Sequence, residues 1–170
     1  PGETIDGTEN AVERTANLLQ RNTVTIHEAA IISQGKLVRI DILQKEGNLL
    51  RLIEVKAKSW DSDKPPKLTS GEWVEYIEDI AYQYIVLQEA YPDTQIETYL
   101  LLPDKAKRTK LEGLNSMFSI ERLAPDANGF SSTKVQFSGD EKSIREDDLM
   151  TLVDVADAVN AIASMVRTAA

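Results

Sequence analysis

The most constraining stretch of this 170-residue chain is a pair of alternating segments, LVRIDIL and LLRLIEVKAKS, joined by KEGN. A period of two sends successive side chains to opposite faces of an extended strand, and Gly-Asn between two such runs reads as a hairpin turn. The alternation predicts Val38, Ile40 and Ile42 on one face, with Arg39, Asp41 and Leu43 on the other. On the returning strand it groups Ile53, Val55 and Ala57 against Leu52, Glu54 and Lys56. A hairpin with an apolar side must bury it, so the flanking segments have to supply covering layers.

Upstream, residues Thr8 to Gln20 carry Ala11, Val12, Thr15, Leu18 and Leu19 at helical spacing, with Thr8 as the expected cap. Thr23 to Ile32 is β-branched and reads as a strand. Downstream, the polar loop SWDSDKPPKLTSG leads into an expected helix from Glu72 to Ala90. One of its stripes is Val74, Ile77, Ala81, Ile85 and Gln88; another is Glu75, Asp79 and Gln83. QIETYLLLP reads as a buried strand. Residues Asp104 to Asp140 read as irregular, with short strands near Met117–Glu121 and Lys134–Phe137, and Asp148 to Arg167 reads as an amphipathic helix. The expected class is α/β, a central sheet flanked by helices, in one domain over 1–170 with its core at about 8–103.

Composition narrows the chemistry. Apolar residues make up 42% and charged residues 28%, a balance that excludes a disordered chain. No run of about 18 apolar residues is present, so no membrane span is expected. The absence of cysteine removes disulfides, thiolate metal sites and cysteine nucleophiles, and a lone His27 removes any multi-histidine metal cage. The acidic, polar start PGETIDGTEN shows no targeting pattern, which leads to the expectation of a cytoplasmic protein. Pro1 in place of Met suggests a piece of a longer chain. The net charge is −9, yet the bases cluster: Lys56, Lys58, Lys64 and Lys67 in one stretch, Lys105, Lys107, Arg108 and Lys110 in another. Overall negative charge disfavours broad nucleic-acid binding, but a local basic groove is compatible with it.

Across the expected hairpin, Asp41 on one strand and Glu54 on the next can converge, since neighbouring strands lie about 4.8 Å apart. An oxygen-only pair favours a hard cation such as Mg²⁺ or Mn²⁺. Lys56, two residues on, shares a face with Glu54 and can orient a nucleophile, deprotonate it or hold a phosphate. The same charges would equally suit a solvent-facing strand.

Asp41, then Glu54-Val55-Lys56, then a helix bearing Gln83 together resemble the PD-(D/E)XK nuclease superfamily, and most closely its RecB-type branch. The segments IHEAAI, VRIDIL, LIEVKAKS and DIAYQYIVL are similar to a bacterial nuclease-like domain family placed in that branch. The resemblance spans about Glu13 to Pro103 and implies a restriction-endonuclease-like αβββαβ core with a C-terminal helix added. It implies that Asp41 and Glu54 are metal ligands, joined by the Val55 carbonyl, that Lys56 is the catalytic lysine, and that Gln83 is the helix glutamine of the site. Glu28 and Glu13 compete for a further acidic position, with Glu28 preferred as a metal ligand. The branch's tyrosine four residues after the glutamine is Leu87 here, leaving Tyr82 or Tyr84 as stand-ins, and His27 is not carried over. The branch often carries an iron–sulfur cluster on cysteines, which this chain lacks.

The implied activity is Mg²⁺- or Mn²⁺-dependent hydrolysis of DNA, at single strands or ends, in repair, recombination or defence. Lys58, Lys64, Lys67, Lys105, Lys107, Arg108 and Lys110 would then contact phosphates. Trp60 and Trp73 would either stack on bases or anchor the lysine loop. The alternative is a catalytically silent module that binds nucleic acid or a protein partner within a larger machine, where missing domains of the same protein would complete it.

Overall fold

A computed structural model describes residues 2–124 and 133–169, with side chains in the last helix described to residue 165. Residues 125–132, in the middle of the stretch expected to be irregular, lie outside the described residues. The elements are β1 (Glu3–Thr4), α1 (Ala11–Leu18), β2 (Thr23–Ser33), β3 (Lys36–Glu46), β4 (Leu49–Val55), α2 (Trp73–Ala90) and β5 (Gln95–Pro103). There follow a 3₁₀ turn (Leu114–Met117), β6 (Phe118–Arg122), β7 (Thr133–Phe137), α3 (Glu141–Glu146), β8 (Met150–Asp154) and α4 (Ala156–Ala169).

The protein is α/β. Six strands form a mixed sheet in the order β1-β2-β3-β4-β5-β8, and β6 and β7 make a separate two-stranded ribbon. β2, β3 and β4 are antiparallel neighbours, β5 runs parallel to β4, and β8 is antiparallel to β5. A parallel neighbour needs a crossover, and α2 provides it. α1 packs on β2, α2 on β2, β3, β5 and α4, and α4 on β5. Ile26, Ile40, Leu43, Leu50, Leu52, Leu100 and Leu102 are sealed from solvent at the centre. No helix among the described residues is long and apolar enough to cross a membrane.

Three expectations need correction. Uniform alternation along β3 fails: the buried positions run Val38, Ile40, then Leu43, and Ile42 is only half-buried. β2 takes the same step of three, from Ile26 to Ala29. Both irregular steps fall in one row, because His27 faces Ile42 and Ala29 faces Ile40, leaving Glu28 and Asp41 at facing positions between them. Glu28 has φ 59°, the left-handed region, which breaks the pleat and changes its phase. The side of β4 expected to be apolar is buried at Ile53 but opens at Val55 and at Ala57 beyond the strand, while Leu50, Leu52 and Glu54 are inside.

The helix expected over Asp148–Arg167 is a strand followed by a shorter helix. Met150–Asp154 pairs with β5, where its β-branched Thr151 and Val153 suit an edge strand. The helix starts at Ala156, whose N–H donates to Asp154 Oδ1 at 2.8 Å. Finally, Thr8 does not cap α1. Asn10 occupies that position in a left-handed conformation, with no side-chain capping bond.

Candidate active site

β3 and β4 stay paired from Glu46↔Leu49 to Ile42↔Ile53, and the register ends there. The next row would bring Asp41 opposite Glu54. Instead, the Asp41 carboxylate occupies the opening, its Oδ2 accepting from the Val55 N–H at 2.8 Å. Strand separation frees a main-chain donor, and the acidic side chain satisfies it.

Glu54 sits on the core side of β4 with only 6% of its surface exposed. A buried carboxylate needs partners, and it has two: Lys56 Nζ donates to Oε1 at 2.5 Å and Gln83 Nε2 to Oε2 at 3.0 Å. Burial pushes the Glu54 carboxyl above its ordinary value; bonds from Lys56 and Gln83 oppose this, and the charge of Asp41 adds to it. Lys56 also donates to Asp79 Oδ2 at 2.8 Å, and its ammonium lies 5.7 Å from the centre of the Tyr76 ring. Burial disfavours the Lys56 charge, but the bonds to Asp79 and Glu54 outweigh it and hold the group above an ordinary lysine. At neutral pH it is an ammonium.

α2 delivers the opposite wall. Gln83 is buried, and its Nε2 also lies 3.4 Å from Asp79 Oδ1, one turn earlier, while its Oε1 is buried with no partner among the described residues. Tyr76, Asp79 and Gln83 lie at i, i+3 and i+7, a single helical stripe that meets the end of β4. The sequence signal for Asp79 is its place on one helical stripe with Gln83, at i, i+4. Tyr76 was missed, and only its place on the same stripe signalled it.

The structure therefore gathers Asp41, Glu54, Lys56 and Gln83 where the pairing of β3 and β4 ends. Glu28 stands across from Asp41, but its half-exposed carboxylate pairs with Arg39 at 3.5 Å. Glu13 is exposed on α1. Neither alternative tyrosine is tied to the cluster: Tyr82 is exposed, and Tyr84 packs against the core. No group of three or more His, Cys, Asp or Glu side chains placed to hold a metal occurs among the described residues.

The two basic loops lie side by side. Trp60 bridges to Asp104, the Trp60 N–H donates to Pro103 O at 2.8 Å, and the Lys105 N–H donates to Trp60 O at 3.0 Å. Lys58 pairs with Glu72 and lies 5.3 Å from the centre of the Trp73 ring. Lys105 pairs with Asp61 at 3.3 Å and Lys107 with Asp148 at 2.9 Å. Lys64, Lys67, Arg108 and Lys110 are exposed. Trp60 and Trp73 are buried edge-to-face, ring centres 5.5 Å apart, so they anchor the loop.

Asp104 fastens this region and had no sequence signal beyond its place after a strand. Only 5% exposed, it accepts from the hydroxyls of Ser62 and Thr151 and from the N–H groups of Ser62 and Ala106. The Ser62 hydroxyl is the main cause holding its carboxyl well below the usual range, against the effect of burial. A depression of about 490 Å³ between Leu68 and the start of α4 lies apart from these groups. No protein-family model, curated protein or solved structure matches the chain.

Proposed function

We propose that the chain is a Mg²⁺- or Mn²⁺-dependent nuclease of the PD-(D/E)XK type, hydrolysing phosphodiester bonds of DNA. The observation that carries this reading is the meeting of Asp41, Glu54, Lys56 and Gln83 where β3 and β4 part. The order α1, β2-β3-β4, α2, β5, with β4 and β5 parallel, supports a restriction-endonuclease-like core.

The donor set suits a hard cation: Asp41, Glu54 and the Val55 carbonyl offer only oxygen. The Lys56 ammonium against Glu54 and Asp79 shows that these carboxylates accommodate positive charge. Two carboxylates are enough for Mg²⁺, which retains several waters and uses substrate phosphate oxygens. A bound ion would polarise a phosphoryl oxygen and lower the pKa of water. Lys56, held as an ammonium, would stabilise negative charge building on the phosphate. Gln83 fixes Glu54 through Nε2, and its Oε1, which has no partner among the described residues, can accept from a water or a substrate hydroxyl. Lys64, Lys67, Arg108 and Lys110 would contact the phosphate backbone.

The test is calorimetric titration of Mn²⁺ and Mg²⁺ alongside cleavage of labelled single- and double-stranded DNA. The parent chain should bind and cut. Asp41→Ala should lose both, and Lys56→Ala should lose cleavage by at least about 10²-fold. Cleavage undiminished in both variants refutes the reading. The pairing of Lys58, Lys105 and Lys107 with acids favours a second reading, a silent module, which requires DNA or partner binding without cleavage.

A further inference from the structure

Asp79 repeats the bonding of Glu54. The same two donors, Lys56 Nζ and Gln83 Nε2, that bond Glu54 at 2.5 and 3.0 Å also reach Asp79, at 2.8 and 3.4 Å. The two acceptors differ in their surroundings. The Glu54 side chain is 7% exposed and that of Asp79 44%, so one carboxylate is buried in the site and the other stands in water at its rim.

We propose that Asp79 is a positioning residue: it keeps the Lys56 ammonium and the Gln83 amide partnered when Glu54 turns its oxygens to a divalent cation. The inference rests on the nuclease reading and deepens it. As the structure stands, each Glu54 oxygen accepts one bond, Oε1 from Lys56 and Oε2 from Gln83. A cation entering beside Asp41 would use the remaining lone pairs and would repel the Lys56 ammonium from Oε1. Without Asp79, that would strand an ammonium whose side chain is only 23% exposed. With Asp79 beside it, Lys56 keeps a carboxylate throughout and stays beside the position a phosphate would take. The helix fixes this alternative: Asp79 and Gln83 are one turn apart, and Tyr76, a turn before Asp79, lies by the ammonium.

Mn²⁺ binding to the full chain, read by calorimetry without DNA, tests this with a double-mutant cycle. Asp79→Asn should weaken Mn²⁺ binding by about tenfold, as removal of a ligand's outer partner commonly does. Asp79→Glu should restore most of the loss. In a Lys56→Gln background, Asp79→Asn should leave the affinity unchanged, since the ammonium it serves is gone. Glu75→Gln, one turn earlier on α2 and exposed, is the charge control and should be silent. An equal loss in both backgrounds overturns the proposal, because Asp79 would then act on the cation directly. No loss in either background overturns it too, while leaving the nuclease reading intact. A parent chain that binds no Mn²⁺ overthrows the metal site itself, and this inference with it.

Discussion

Glu54 is a charge among leucines, with Leu52 and Leu100 sealed beside it. Burial and the charge of Asp41 together disfavour its ionised form more than Lys56 and Gln83 favour it. Glu54→Gln should therefore raise Tm by a few degrees while abolishing Mn²⁺ binding and cleavage, the usual exchange of stability for function at a site. Thermal denaturation and calorimetry on one preparation check both halves. Asp104 behaves in the opposite sense. Its folded pKa is depressed, so its contribution is complete above the unfolded aspartate value of about 3.9 and fades as pH falls through the folded one. Asp104→Asn should lower Tm by a constant margin between about pH 5 and 7, and the margin should narrow below about pH 4. A margin unchanged to acid pH would show that the charge contributes nothing. The meeting of Asp41, Glu54 and Lys56 was readable because charges at fixed strand positions form a pattern, and Gln83 was named through the family resemblance; Asp104 was not readable, because its donors come from Ser62, Ala106 and Thr151, far apart in sequence.

Between β2 and β3 the informative event is the loss of pleat phase at Glu28 and Asp41. A left-handed glutamate inside a strand costs roughly 1–2 kcal/mol, held in place by the pairing on both sides. Glu28→Gly should be neutral or stabilising by up to about 1 kcal/mol, and Glu28→Val should destabilise by about 1–2 kcal/mol, both read by urea denaturation. Equal effects would mean that the backbone there is unstrained. Hydrophobic patterning made α2 and β5 legible because each keeps one period from end to end, and it made the hairpin legible through its turn and the alternation on either side of it. It could not show the phase change, since nothing in VRID distinguishes a regular strand from one that slips by a residue. The end of the chain failed differently. LMTLVDVADAV satisfies a helical period and a strand period at once, and the free edge of β5 decided for a strand up to Asp154.

Across the whole molecule, stability is unevenly distributed. β3, β4 and β5 lie inside the six-stranded sheet, whereas β6 and β7 pair only with each other and leave Ile120 71% and Val135 58% exposed. A two-stranded ribbon is marginal alone, so β6–β7 amides should exchange with solvent far faster than those of β4, which should open only with global unfolding. Hydrogen-exchange mass spectrometry measures this, and equal protection would refute it. The net charge of −9 also has a spatial consequence: if the exposed bases beside the site bind DNA, affinity should fall with salt, with a logarithmic slope of only about 1–4. The last consequence concerns the long excursion between β5 and β8. Asp104 N–H donates to Leu149 O at 2.9 Å, and Pro103 faces Met150, so the two ends of this connection meet at one point of the sheet. In engineering terms this is a cassette: a shorter turn or a foreign module that keeps Asp104, Lys105 and Ala106 should leave the register of the sheet intact on either side.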